Sequence, residues 1–168
     1  CTSASVVIGD AAVKAAVKAA KPTAAVVTPT AAAVSGLKAF GAQRISVLTP
    51  YTIETSRPMA DYFLGLGFDI ARFTCLGLTD DREMARISPE DIVAFAREAT
   101  APDSDALFIS CTAVRAAGVA ARIEAAIGKP VVTSNLATAW ACLRLCGDEA
   151  ERPDLGRLMT LAYPGEER

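Results

Sequence analysis

Short apolar runs alternate with longer amphipathic segments along most of this chain. Residues 45–49, 106–110 and 131–133 are apolar runs bounded by turn residues or charges, which is typical of buried strands. Residues 68–74 predict a further strand. Because strands alternate with helical segments through short connections, the pattern predicts right-handed βαβ crossovers and a parallel sheet, and therefore an α/β fold.

The predicted helices lie between these strands. They are expected at residues 2–20, 30–40, 53–66, 88–100, 112–127 and 136–145. Ser88 is a favourable N-cap, and Pro89 suits the first helical position. Residues 24–28 are predicted as a short strand, and residues 78–86 as a loop long enough to cover a site. The charged stretch 148–168 is predicted as a tail or as a docking segment that returns to the first part of the chain.

One ordered set of residues occurs twice. Cys1-Thr2-Ser3 opens an alanine-rich segment that leads to Lys-Pro and Val-Val-Thr, and Cys111-Thr112-Ala113 opens a second segment with the same order. This order predicts an internal duplication of an α/β unit. Residues 1–43 would then be the end of a first half and residues 44–147 a second half. Since the second copy has several elements before its cysteine, we expect the first half to be truncated upstream by roughly 70 residues.

Charge and composition exclude some function classes. A net charge of −2 with both signs interspersed gives no basic face for nucleic acid. No apolar run approaches the about 18 residues that a membrane span requires. With 52% hydrophobic and 21% charged residues, the chain has ample material for a core.

The cysteines and the missing histidine narrow the chemistry. The chain has five cysteines, no histidine and no C-x-x-C pair. Zinc patterns, Cys-His catalysis and Ser-His-Asp catalysis are therefore excluded, and the odd cysteine count argues against a disulfide framework. We expect a cytoplasmic protein without a metal, in which thiols, carboxylates, tyrosine or lysine carry any proton.

Two cysteines stand where chemistry is expected. Cys111 follows the predicted central strand, at the edge where open α/β sheets bind ligands, and a helix that begins there would stabilise a thiolate and bind carboxylates. The repeat gives Cys1 the equivalent position. If a pseudo-twofold axis relates the halves, the two thiols face each other across one cleft, an arrangement suited to proton exchange. Cys75, Cys142 and Cys146 are interpreted as small buried hydrophobes.

The same segments resemble a known family. Cys1-Thr2-Ser3-Ala4-Ser5, Thr49-Pro50-Tyr51 and Phe108-Ile109-Ser110-Cys111-Thr112 are similar to the Asp/Glu racemase superfamily, in its maleate cis-trans isomerase and arylmalonate decarboxylase branch. The Cys-Thr-Ser-Ala-Ser start and the Asp-Asp-Arg segment at Asp80 also resemble the ectoine-utilisation member. The resemblance implies two flavodoxin-like halves with the site between them, no metal and no organic cofactor.

The resemblance also implies roles for individual residues. In the family the isomerases and racemases have a cysteine in both halves, whereas the decarboxylases keep only the second. Cys1 would be the nucleophile or first base, and Cys111 the opposing acid or base. The expected substrate contacts come from one tyrosine hydroxyl and from the residues after each cysteine: Tyr51, Thr2, Ser3, Thr112 and Ala113. The segment 80–82 departs from the maleate isomerases, which place an asparagine near it.

These observations predict a cofactor-independent isomerase or racemase that acts on a small carboxylate or dicarboxylate and forms a homo-oligomer. An arylmalonate decarboxylase-like enzyme and a noncatalytic small-acid binding module are the alternatives. A first residue Cys1 would also suit a hydrolase with an N-terminal cysteine or a lipid-anchored binding protein. The α/β alternation disfavours such a hydrolase, and the absence of a flexible linker disfavours a lipoprotein.

Overall fold

The computed structural model describes residues 2–164, and Cys1 lies outside this range. Four parallel strands form one sheet in the order β2-β1-β3-β4. The strands are β1 (Arg44–Tyr51), β2 (Asp69–Leu78), β3 (Ala106–Ile109) and β4 (Val131–Thr133). The helices are α1 (Thr2–Ile8), α2 (Asp10–Ala20), α3 (Pro29–Ala39), α4 (Ile53–Gly65), α5 (Asp81–Arg86), α6 (Pro89–Ala99), α7 (Ala120–Ile127) and α8 (Ser134–Leu145). The predicted α/β class with a parallel sheet is confirmed.

Helices cover both faces of the sheet. Successive side chains of a strand point to opposite faces, so two neighbouring residues of β3 show what packs on each face. Phe108 of β3 packs edge-on against Phe63 of α4, with ring centroids 5.2 Å apart. Ile109, the next residue, borders a small cavity together with Ile92 of α6. Both faces of β3 are therefore buried, as its wholly apolar sequence predicts.

The structure corrects several sequence predictions in the first 43 residues. The helix predicted at 2–20 is broken at Gly9, whose φ of 87° lies in the left-handed region that glycine adopts readily. The strand predicted at 24–28 is absent, because this segment pairs with no strand among residues 2–164. The helix at 30–40 is confirmed as α3, which begins after an N-cap bond from Ala31 N to Thr28 Oγ1.

Three further boundaries differ from the sequence prediction. The loop predicted at 78–86 contains the short helix α5. The helix predicted from Thr112 begins only at Ala120, after a bend and a 3₁₀ turn at Ala116–Val119. Helix α8 begins at Ser134, two residues earlier than predicted, and the hydroxyl of Thr133 accepts from Leu136 N at 3.1 Å as its N-cap.

The C-terminal stretch packs against the domain as far as it is described. Trp140 donates from Nε1 to the carbonyl oxygen of Leu161 at 2.8 Å, and Arg144 donates from Nη2 to that of Met159 at 2.7 Å. Leu158 is fully buried and lies so close to α3 that a Cβ at Gly36 would meet its Cδ1 at 3.3 Å. This stretch is a docking segment held on α8 and α3, rather than a free tail.

The helices of this domain are short. Among residues 2–164, none has the length and apolar character that crossing a bilayer requires.

Candidate active site

The residues expected to carry chemistry gather at the carboxyl edge of the sheet. Tyr51 is the last residue of β1, and Cys111 lies two residues beyond β3. Ser134 follows β4 directly. Because all four strands are parallel, these three side chains belong to one edge, where ligands bind in open α/β sheets.

Cys111 has an uncommon backbone conformation. It is the one non-glycine residue among those described with a positive φ, 87°. A side chain in this region costs about 1–3 kcal/mol, and such strain is found preferentially at functional sites. The turn places the backbone N–H of Ala113 3.3 Å from Sγ, so the thiol sulfur accepts a hydrogen bond.

The environment of Cys111 differs from the predicted helix start. The thiol is 3% exposed, and the chain that follows it bends before the 3₁₀ turn instead of beginning a helix at Thr112. The expected stabilisation by a helix dipole is therefore wrong in detail. The Cys111 sulfur instead accepts from the backbone N–H of Ala113 and lies beside the Tyr51 hydroxyl.

Tyr51 lies beside Cys111. Its side chain is 7% exposed, and burial raises the pKa of Tyr51 well above its usual range. A hydrogen bond between the Tyr51 hydroxyl and the Cys111 thiol raises this pKa further, whereas the nearby Ser3 hydroxyl lowers it. Tyr51 therefore stays protonated at neutral pH and is able to donate a hydrogen bond.

Helix α1 brings the first cysteine-bearing segment to the same place. Thr2 is fully buried, and its hydroxyl lies 2.7 Å from that of Ser134 at the start of α8. Ser3 Oγ is also buried and has no hydrogen-bond partner of regular geometry among the described residues. A buried hydroxyl without a partner is uncommon in folded proteins, and an ordered water or a polar group of a ligand would satisfy it.

The structure brings together Thr2, Ser3, Tyr51, Cys111 and Ala113. Thr112 takes a different place, because its side chain is exposed and its carbonyl oxygen accepts from Asn135 Nδ2 at 3.0 Å. Cys1 falls outside the described residues. The predicted sulfur-to-sulfur arrangement of Cys1 and Cys111 stays a prediction.

Sequence reasoning missed Met84 and Ser134 and interpreted Asp81 as part of a solvated loop. Met84 of α5 is buried, and its Sδ lies 3.9 Å from Cys111 Sγ. Asp81, at the start of α5, acts through its charge on the Tyr51 hydroxyl. Ser134 forms a hydrogen bond with the Thr2 hydroxyl. Its position directly after a strand is the sequence feature that indicates a residue of the site. Tertiary packing of α5 brings Met84 and Asp81 to the site. The sequence predicts a loop at 78–86 and gives no sign of this packing.

The prediction that the other three cysteines are buried is wrong. Cys142 and Cys146 of the α8 region are exposed, and Cys75 is intermediate in exposure. The amphipathic placement of α8 explains this, since Trp140 and Ala141 supply its buried side. Among residues 2–164, no three histidine, cysteine, aspartate or glutamate side chains are grouped so that they could hold a metal ion.

Comparisons with known proteins assign the chain to a family. The family model of arylmalonate decarboxylase matches residues 2–159. The arylmalonate decarboxylase of Bordetella bronchiseptica is 32% identical over 134 residues, which are 78% of this chain and 56% of that protein. A maleate isomerase of Nocardia farcinica is 32% identical over 129 residues, 76% of this chain and 51% of that protein. The chain thus spans about half the length of the curated relatives it matches.

A solved structure of the same branch superposes closely. It is the N. farcinica maleate cis-trans isomerase with one cysteine replaced by serine and with a covalently bound succinylcysteine intermediate. The TM-score is 0.86 at 27% identity, and the match covers 95% of this chain and 69% of that one.

Proposed function

We propose that this chain, which belongs to the arylmalonate decarboxylase family, forms the catalytic centre of a cofactor-independent isomerase or racemase of the maleate cis-trans isomerase type. Its substrate is a small carboxylate, and its chemistry uses the thiols of Cys1 and Cys111. The proposal includes a cytoplasmic location and a homo-oligomer.

One observation carries the proposal. The Tyr51 hydroxyl lies close to the Cys111 thiol, which raises the pKa of Tyr51, and to the Ser3 hydroxyl, which lowers it. Ser3 belongs to the segment Cys1-Thr2-Ser3, so the two cysteine-bearing segments meet at one protonated hydroxyl. Tyr51 and Ser3 would donate hydrogen bonds to a substrate carboxylate, and Cys111 would face the carbon next to it.

For a maleate-like diacid the reaction would proceed by addition and elimination. The Cys1 thiolate forms a C–S bond to one alkene carbon, and the electron pair of the π bond moves to the adjacent carbon, where Cys111 delivers its proton. The new single bond rotates. The Cys111 thiolate then removes a proton from that carbon, the C–S bond breaks, and the trans diacid leaves with the Cys1 thiolate and the Cys111 thiol restored.

For a chiral acid the same pair would invert one carbon. One thiolate removes the proton from the carbon beside the carboxylate, and the opposite thiol delivers a proton to the other face. Hydrogen bonds from Tyr51 and Ser3 to the carboxylate would stabilise the charge that develops on its oxygens. Both reactions need two thiols, which is the reason to favour them over decarboxylation.

The alternative is an arylmalonate decarboxylase-like reaction, which the 32% identity to the B. bronchiseptica enzyme favours. It would use Cys111 alone as the proton donor. The cysteine at position 1, directly before Thr2 and Ser3, is the sequence feature that weighs against it.

Nuclear magnetic resonance in deuterated water tests the proposal. The protein, expressed from its complete coding sequence, is incubated with maleate, aspartate, hydantoins and arylmalonates. Trans product from maleate, or deuterium incorporation at a chiral carbon without net conversion, is the expected result. Carbon dioxide release from an arylmalonate, with neither isomerisation nor exchange in the other acids, would establish the decarboxylase instead.

A further inference from the structure

Helix α8 begins with two residues that contact both cysteine-bearing segments. The hydroxyl of its first residue, Ser134, lies 2.7 Å from that of Thr2, which follows Cys1 in the sequence. Its second residue, Asn135, donates from Nδ2 to the carbonyl oxygen of Thr112 at 3.0 Å, and Thr112 follows the other cysteine of the site. The start of a single helix therefore fixes the two segments relative to each other.

The bond from Asn135 orients a peptide group that also contacts the Cys111 sulfur. The carbonyl of Thr112 and the N–H of Ala113 belong to one planar peptide unit. The carbonyl accepts from Asn135, and the N–H, on the opposite side of the unit, points at Cys111 Sγ with its nitrogen 3.3 Å away. Rotation of this unit would break both bonds together. Asn135 therefore holds the N–H of Ala113 toward the thiol sulfur.

The bond from Ser134 fixes the start of α1. Ser134 and Thr2 are both fully buried, and a buried polar group that loses its partner is costly, so the two hydroxyls hold each other in place. Cys1 is joined to Thr2 by one peptide bond, and consecutive Cα atoms are about 3.8 Å apart. The position of Thr2 therefore limits where the Cys1 thiol can lie.

We propose that Ser134 and Asn135 are positioning residues that set the distance and orientation between the two thiols. Each acts through the threonine that it bonds, and neither contacts the substrate in this role. Two thiols that work on one substrate need near-attack geometry at the same time, and a misplacement of about 1 Å can cost about a hundredfold in rate. The inference rests on the proposed function and adds to it two residues outside the substrate contacts.

Amide hydrogen exchange, followed by nuclear magnetic resonance on the protein expressed from its complete coding sequence, tests each bond separately. Ser134→Ala should raise the exchange rate of the hydrogen-bonded amides of α1 by about threefold or more and leave that of Ala113 unchanged. Asn135→Ala should raise the rate at Ala113 by a similar factor and leave α1 unchanged. A general loss of stability would instead raise exchange in both places together.

Two further variants separate positioning from the stability of α8. Asn135→Asp keeps the side-chain shape and adds a negative charge that favours the helix start, but it has no N–H to donate, so exchange at Ala113 should still rise. Thr138→Val removes a hydroxyl bond of 2.8 Å to the Ser134 carbonyl within α8 and should change neither place. If a variant at 134 or 135 raises exchange in both places or in neither, or if Thr138→Val matches it, the proposal is overturned.

Turnover distinguishes this inference from the proposed function. Ser134→Ala and Asn135→Ala should each lower kcat by about tenfold or more. Asn135→Ala should leave KM within about threefold of wild type, because it removes no contact to the substrate carboxylate. Wild-type kcat in either variant would overturn the inference and leave the proposed function standing. If the wild-type protein turns over no acid while both exchange effects are found, the proposed function fails and the placement of the two segments by α8 stands.

Discussion

Replacing Asp10 tests the hydrogen bonds that hold α2 against α3 and α4. Asp10 is the first residue of α2, directly after the Gly9 break. One oxygen of its carboxylate accepts from the hydroxyls of Thr28 and Thr30, and the other accepts from the Tyr62 hydroxyl at 2.8 Å. Asp10 thus joins α2 to the start of α3 and to Tyr62 of α4, which lies 52 residues further along the chain.

The expected loss can be estimated from these three bonds. A hydrogen bond to a charged acceptor contributes about 1.5–3 kcal/mol, so three would give about 4.5–9 kcal/mol if nothing replaced them. The site is only partly buried, and water would restore part of that sum. For Asp10→Ala we therefore expect about 3 kcal/mol lower free energy of unfolding, or a Tm lower by roughly 6–12 °C.

Urea denaturation followed by circular dichroism measures this loss, with Asp61→Ala as the matched control. Asp61 is an exposed aspartate next to Tyr62 on α4, and its replacement should change the free energy by no more than about 0.5 kcal/mol. Tyr62→Phe removes one of the three bonds and should cost about 1 kcal/mol or more. A loss for Asp10→Ala below about 1 kcal/mol, or equal to the control, would refute the reasoning.

Further predictions concern pH, thiol exposure and the C-terminal stretch. The backbone N–H groups of Arg44 and then Gln43 lower the pKa of Asp105, so its stabilisation is present above about pH 4 and is lost as the pH falls below it; Asp105→Asn should flatten the acid limb of a stability-pH curve, and an unchanged limb would contradict this. Iodoacetamide should modify exposed Cys142 and Cys146 before Cys111, which is 3% exposed; peptide mass spectrometry showing the reverse order would mean that Cys111 is accessible. Gly36→Leu should displace Leu158 and lower stability, because even a Cβ at Gly36 would meet Leu158 at 3.3 Å; a stability equal to wild type, measured by thermal denaturation, would rule out this packing.

Elements with a local physical signal could be predicted from the sequence. The apolar runs of β1, β3 and β4 can be satisfied only between two layers of helices, so they appear as strands of a covered parallel sheet. The N-cap Ser88 also needs only local geometry, and its hydroxyl accepts from Asp91 N at 3.1 Å as expected.

Features that depend on tertiary contact could not be predicted in the same way. The segment 24–28 has a strand-like sequence, but a strand also requires a neighbour, and none pairs with it among residues 2–164. The turn at Cys111 replaces the start of a helix because that residue has a positive φ, which the sequence gives no reason to expect of a cysteine. Met84 enters the site from 27 residues away, and no local pattern indicates that contact.

The most direct test of the two-thiol mechanism is serine replacement of each cysteine in turn. Cys1→Ser and Cys111→Ser keep nearly the same size, but a hydroxyl is far less acidic than a thiol and cannot exchange protons or add to an alkene at a comparable rate. With the protein expressed from its complete coding sequence, each single variant should retain the circular dichroism spectrum and lose isomerisation and deuterium exchange. Near-normal activity in either folded variant would contradict the mechanism.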